Sequence, residues 1–262
     1  MNVTRRAFLG SSVACLAAGC AGLSPSRRPG RAVQLYSIWD YINAHGFRSA
    51  FAELAETGYE GVEFCGYYGK SAAEVRGLLN EYGLVPMGSH ISFDDFSPTK
   101  IGATLDYEAA VGNRTVVMGF LKPPKDCTDP VSWWRGKSEA LSVAAETAKA
   151  RGFRFAYHNH QHELHPLPNG ERPLDILFDT FPSHVAMEMD LGHLLAAGAV
   201  PRWYLDRYAD RAYAFHLTHW DLLTGGKLER HIAGTEPEWL VIESSDGKDR
   251  FDSVRRGYAT FF

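Results

Sequence analysis

Residues 61 to 91 read Gly61-Val62-Glu63-Phe64-Cys65, then Ser71 to Tyr82 with Gly83 behind it, then Val85-Pro86-Met87-Gly88-Ser89-His90-Ile91. The first and last pieces are short continuous apolar runs, the pattern of parallel strands buried on both faces. The middle piece reads as a helix ending on a glycine stop signal. This strand, helix, strand unit recurs along the chain. Strand-like runs stand at Val33 to Ile38, Gly61 to Cys65, Val85 to Ile91, Arg114 to Phe120, Phe153 to His158, Val185 to Met189, Ala212 to Leu217 and Trp239 to Ile242. Helix-like segments lie between them at Phe47 to Glu56, Trp133 to Ala150, Pro201 to Tyr208 and Phe251 to Tyr258, with further glycine stops at Thr57-Gly58 and Arg151-Gly152. Strand then helix, repeated eight times, predicts an α/β chain folded as a (β/α)8 TIM barrel. An open doubly wound sheet ranks second, because no Gly-rich phosphate fingerprint follows the first strand.

Polar residues keep a register of their own at the C-terminal ends of these strands. Tyr36, Glu63 and His90 stand 27 residues apart, and Glu163, Asp190, His216 and Glu243 follow at steps of 27, 26 and 27. A barrel gathers its strand C-termini into one mouth, so residues distant in sequence meet there. Glu163, Asp190, His216 and Glu243 offer three carboxylates and an imidazole, a set suited to Mn2+ or Mg2+, with Zn2+ or Co2+ also within reach through the histidine. Carboxylates crowded in a barrel mouth repel one another unless a cation joins them. Pairing with Arg, or solvation in loops, is the structural alternative for each taken singly. Tyr157-His158-Asn159-His160-Gln161-His162-Glu163 is the densest polar run. Either His158 or His160 can replace Glu163 as ligand; Glu163 is preferred because alternating His158 and His160 can line the cavity and bind hydroxyls. Glu163 and Glu243 are then the expected catalytic pair, one taking a proton from a sugar carbon and the other returning it through an enediolate. Expulsion of a β-substituent would make the same site a lyase.

Val33-Gln34-Leu35-Tyr36-Ser37, Gly61-Val62-Glu63-Phe64, Gly66-Tyr67-Tyr68-Gly69-Lys70-Ser71, Ser89-His90, Tyr157-His158-Asn159-His160 and Glu188-Met189-Asp190-Leu191 together resemble the sugar phosphate isomerase/epimerase family of xylose-isomerase-like barrels. The resemblance covers Arg31 to Phe262. It implies metal ligands at Glu163, Asp190, His216 and Glu243, with Glu63 and His90 lining a substrate pocket. The family also holds enzymes that eliminate or dehydrate keto-sugars and inositols, and distant relatives cut DNA at abasic sites. His193, and Glu229 with His231, resemble the extra ligands of that endonuclease branch; His193 and His231 are expected to contact substrate. Two features depart from the family. His216 is followed by Leu217-Thr218-His219, without the family's substrate-polarising lysine. The interval from His216 to Glu243 is also short by about a helix, which predicts a shortened or missing seventh helix.

Thr4-Arg5-Arg6-Ala7-Phe8-Leu9-Gly10, followed by an uncharged Ala-rich run from Ser11 to Ala21, predicts a twin-arginine export signal. That run is shorter than the roughly 18 residues a bilayer span requires. Cys20 follows Leu16-Ala17-Ala18-Gly19, which resembles a lipoprotein cleavage site; lipid anchoring at Cys20 and simple cleavage both fit. With a Ser, Pro, Gly and Arg-rich tether from Ala21 to Gly30, residues 1–30 form leader and linker, and 31–262 one domain, periplasmic or membrane-anchored. A formal charge of -4 with no basic cluster in the mature chain opposes a nucleic-acid partner. The expected partner is a carbohydrate, with a homo-oligomer as a means of covering barrel surface left bare by a short helix. Cys65 and Cys127 lack CxxC spacing and read as free or buried thiols. Trp220 and Trp239 read as packing residues, with stacking on a sugar as the alternative. A carbohydrate-binding lipoprotein without turnover is the rival reading: the missing lysine favours it and the four-ligand set opposes it.

Overall fold

A computed structural model describes residues 28–244 and 250–262. The twin-arginine segment, Cys20 and most of the tether lie outside the described residues. Eight strands, β1 (Gly30–Gln34), β2 (Gly61–Phe64), β3 (Val85–Ile91), β4 (Thr115–Met118), β5 (Arg154–His158), β6 (Ala186–Asp190), β7 (Ala212–Leu217) and β8 (Trp239–Ile242), close into a barrel in chain order. Every neighbouring pair is parallel. The helices are α1 (Trp39–Thr57), α2 (Ala72–Tyr82), α3 (Ile101–Val111), α4 (Pro130–Ala150), α5 (Pro173–Thr180), α6 (Leu191–Ala196), α7 (Pro201–Arg207), α8 (Trp220–Leu223), α9 (Lys227–Ile232) and α10 (Arg250–Phe261).

Local chemistry sets where these elements begin and end. Gly58 and Gly83 take left-handed φ of 106° and 68° at the ends of α1 and α2, where a β-carbon would be strained. Ser71 and Glu74 form a reciprocal capping box at the start of α2, satisfying two amides that would otherwise have no partner. The expected first strand is displaced: β1 stops at Gln34, whose side chain accepts the Tyr36 N–H at 3.0 Å and turns Leu35–Ile38 into a 3-10 helix.

Two apolar layers hold the barrel. Ala32, Met87, Val117, Ala156, Ala186, Tyr213, Ala214 and Val241 form one buried cluster, packed on Trp239. Trp239 opens β8, and a β-carbon on Gly30 or Gly61 would come within 2.4 or 2.7 Å of its ring, so small residues there let the indole close the N-terminal end of the barrel. The second layer lies between strands and helices, where Phe51, Phe64, Trp134, Phe155, Tyr157 and Phe215 are fully buried; each contributes on the order of 1.5–3 kcal/mol. Trp220 belongs to this layer, donating Nε1–H to Leu217 O at 2.6 Å. After β7, where the spacing predicts a shortened or missing helix, stand the short α8 and α9, whose Leu223 and Leu228 are buried, so the helix is shortened and broken rather than lost. Cys65 and Cys127 are free thiols, and no helix among the described residues is long and apolar enough to cross a membrane.

Candidate active site

In β6 the methionines Met187 and Met189 pack into the outer core, so the two-residue period of the strand turns Glu188 and Asp190 toward the barrel axis. The β6–β7 pairing shifts register between Met187 and Glu188, and the β2–β3 pairing shifts between Val62 and Glu63. Such irregularities re-aim side chains. The strands also bring in His90 from β3, His158 from β5, His216 from β7 and Glu243 just past β8.

Two overlapping donor sets result, with ligand atoms within 4.8 Å of one another: His158, Asp190, His216 and Glu243 in one, and His90, His158, Glu188 and His216 in the other. The second set is tied together directly. Glu188 Oε2 lies 2.9 Å from His90 Nε2 and 3.4 Å from His216 Nε2, while its Oε1 accepts the Tyr213 hydroxyl at 2.6 Å. Beside it, Glu63 Oε2 accepts from Gln34 Nε2 at 2.9 Å and stands 2.8 Å from His216 Nε2. In the first set Glu243 Oε2 lies 2.9 Å from His216 Nδ1, and Asp190 Oδ1 accepts from the Thr218 hydroxyl and the His193 amide, each at 2.7 Å.

The charges of the two sets differ. Burial opposes protonation of His216, but Glu188 and Glu63 outweigh it and hold its pKa well above the ordinary value. His90 behaves alike and is raised to about 10. Burial likewise opposes ionisation of Glu188, yet the His216 charge and the imidazole hydrogen bonds hold it well below the usual carboxylate range. His90 and His216 thus both lie against the carboxyl groups of Glu63 and Glu188. Toward the mouth the rings are neutral: burial, then neighbouring imidazoles, holds His158 well below its ordinary value, and lowers His160 to about 3 and His193 to about 4. Burial, then Glu243, raises Asp190 to about 7.

Asp190 Oδ2, His158 Nδ1, His216 Nε2 and Glu63 Oε1 are buried without a hydrogen-bond partner. The 2.8 Å approach of His216 Nε2 to Glu63 is therefore a charge contact without hydrogen-bond alignment. Each such buried atom costs about 1–3 kcal/mol unless something meets it. A divalent cation that displaces the His216 proton would be met by His158, Asp190, His216 and Glu243, so the residues fit a metal.

The donors open on a cavity of about 560 Å3 walled by Tyr36, Met118, Phe120, His158, His160 and Glu243, among others. Among its described lining residues Glu243 is the one carboxylate.

Glu163 stands apart from both sets. After His160 the chain turns into a 3-10 helix over Gln161–Leu164, which carries the Glu163 carboxylate back to accept the His160 N–H and, at 2.6 Å, the Tyr157 hydroxyl. Burial raises this satisfied acid to about 8. His158 occupies the place on β5 that the spacing gave to Glu163. Glu63 and His90 lie in the donor network itself, and His90, His158 and His160 also line the cavity. His193 stands nearby, its ring 4.9 Å from that of His160. His231 lies on α9 and is not among the cavity's lining residues. Glu188 falls outside the register of one polar residue per strand end, and the Glu188-Met189-Asp190 alternation is the sequence signal that puts it on the same face as Asp190.

The profile of the xylose isomerase-like TIM barrel family matches residues 51–237. Among curated proteins, none matches the sequence. A sugar phosphate isomerase/epimerase from Parabacteroides distasonis superposes with a TM-score of 0.71 at 16% identity, over 92% of this chain and 95% of that one. A D-psicose 3-epimerase, solved in the presence of D-fructose, gives 0.63 at 13% identity over 86% and 89%. A probable 3-DHS dehydratase from Bacillus anthracis gives 0.59 at 11% identity over 88% and 97%. At these identities the likeness is one of fold.

Proposed function

We propose, from the premise that the chain belongs to the xylose isomerase-like TIM barrel family, that it is a metal-dependent isomerase or epimerase of a carbohydrate. The observation that carries this reading is the convergence of His158, Asp190, His216 and Glu243 below an open cavity at the C-terminal mouth. A divalent ion held by these four would supply Lewis acidity, drawing electron density from a carbonyl oxygen and its neighbouring hydroxyl and easing removal of the intervening proton. Two imidazole nitrogens in the set favour Mn2+, Co2+ or Zn2+ over Mg2+, which prefers oxygen.

The chain's own residues supply the rest. Burial works against ionisation of Glu243, but the hydrogen bond and charge of His216 lower its pKa, so it faces the cavity as a carboxylate able to accept a proton. His160, neutral and with Nδ1 unpartnered, is placed to orient hydroxyls. Glu163, turned onto Tyr157, is not in this scheme. With Glu243 the one lining carboxylate among the described residues, removal and return of the proton on one face is the simplest path, which favours isomerisation and equally permits elimination from a keto-sugar. Incubating manganese-loaded protein with a panel of aldoses, ketoses and 3-keto-glycosides in deuterated water is the test. Deuterium is expected at the carbon beside the carbonyl of the accepted sugar; no exchange across the panel, with the metal site full, overturns the reading.

This chemistry takes place outside the cytoplasm in our reading, directed by Arg5-Arg6. The export receptor reads paired guanidinium groups rather than charge alone. The Arg5→Lys, Arg6→Lys double variant is expected to accumulate in the cytoplasmic fraction, and its normal export would remove the assignment. Cys20→Ala tests the lipid separately, since loss of membrane association is expected only if that thiol is acylated.

A further inference from the structure

Asp190 is held from both neighbouring strands by residues to which the proposed chemistry assigns no role. From the end of β5, Asn159, 1% exposed, accepts the Asp190 N–H on Oδ1 at 3.0 Å and donates Nδ2 to the Asp190 carbonyl at 3.3 Å, fixing its backbone. From the end of β7, the Thr218 hydroxyl donates to Asp190 Oδ1 at 2.7 Å, and the His193 amide donates to the same oxygen as the N-terminal cap of α6. Oδ1 is thereby saturated, while Oδ2 is buried and without a partner. The approach of α6 to Thr218 needs a bare backbone: a β-carbon on Gly192 would sit 2.1 Å from Thr218 O.

We infer that Thr218 is a positioning residue for the metal site, its hydroxyl fixing the Asp190 carboxylate so that Oδ2 alone faces the other donors. The inference rests on the metal-dependent reading above. A carboxylate with one saturated oxygen binds through the other, and a ligand already held in place loses less freedom on binding. The hydroxyl acts through Asp190, so its effect belongs in metal affinity.

The test is titration of Mn2+ into dialysed wild type, Thr218→Val and Thr218→Ser, with the unfolding temperature of each metal-free protein measured alongside. Thr218→Val keeps the shape and removes the donor; its Kd is expected to rise on the order of 10- to 100-fold, while Thr218→Ser binds like wild type. Should Thr218→Val fail to fold, Thr218→Ala removes the same hydroxyl with less bulk and carries the same expectation. A merely structural role would lower the metal-free unfolding temperature of Thr218→Val and leave Kd unchanged, which overturns the inference; so does equal weakening in Thr218→Ser. A wild type that takes up no ion overturns the metal reading together with the inference, whereas wild-type uptake matched by Thr218→Val overturns the inference alone.

Discussion

Glu243→Gln is expected to lower turnover by on the order of 10²–10⁴, and to stop incorporation of solvent deuterium, at manganese concentrations that keep the site filled. The amide retains an oxygen toward His216, 2.9 Å away from the present Oε2, but cannot accept a proton. Glu163→Gln is the informative contrast. Burial raises Glu163 to about 8, so at neutral pH it is mainly uncharged and an amide replaces it closely; the amide oxygen can accept the His160 N–H and its nitrogen can donate to the Tyr157 hydroxyl. Metal uptake and exchange are expected to survive. If Glu163→Gln is the dead variant while metal-loaded Glu243→Gln still exchanges, the base comes from β5 and the assignment to Glu243 is wrong.

His216→Ala is expected to lose the metal and about 3–5 kcal/mol of stability. Its ring lies 2.8 Å from Glu63, 3.4 Å from Glu188 and 2.9 Å from Glu243, and is fully buried. Removing it leaves those acids without their shared counter-charge. Asp190→Asn should lose metal with a smaller stability penalty, because its oxygen still accepts from Thr218 and His193. Elemental analysis after dialysis, with denaturant unfolding of each variant, separates the two effects. Uptake by wild type should also weaken as pH falls, since a cation must displace the proton that Glu188 and Glu63 favour on His216 and, below about 7, the one on the Asp190 carboxyl, raised by burial and by Glu243. Retention of stoichiometric metal by His216→Ala would remove that histidine from the ligand set.

The barrel was legible in the sequence because its signals are local and repeated. Buried parallel strands are continuous apolar runs, helix ends carry glycine, and the spacing of about one strand-helix unit recurs from Tyr36 to Glu243. The same spacing placed Asp190, His216 and Glu243 at strand ends, where a closed barrel brings them together. Spacing fixes which strand a residue ends, not which way its side chain leaves. Glu163 keeps the period yet points back, because three backbone steps of 3-10 helix after His160 give its oxygens nearer donors than the barrel mouth offers. His158 and Glu188 face the axis because the outward positions beside them, Tyr157, Met187 and Met189, are taken by apolar packing. Nor does local sequence announce that Thr218, in the run that lacks the family's lysine, would bond Asp190 one strand away. Those choices were decided only in the tertiary structure, where pairings between distant strands and the cost of burying an unmet polar atom select one orientation from several that the sequence allows.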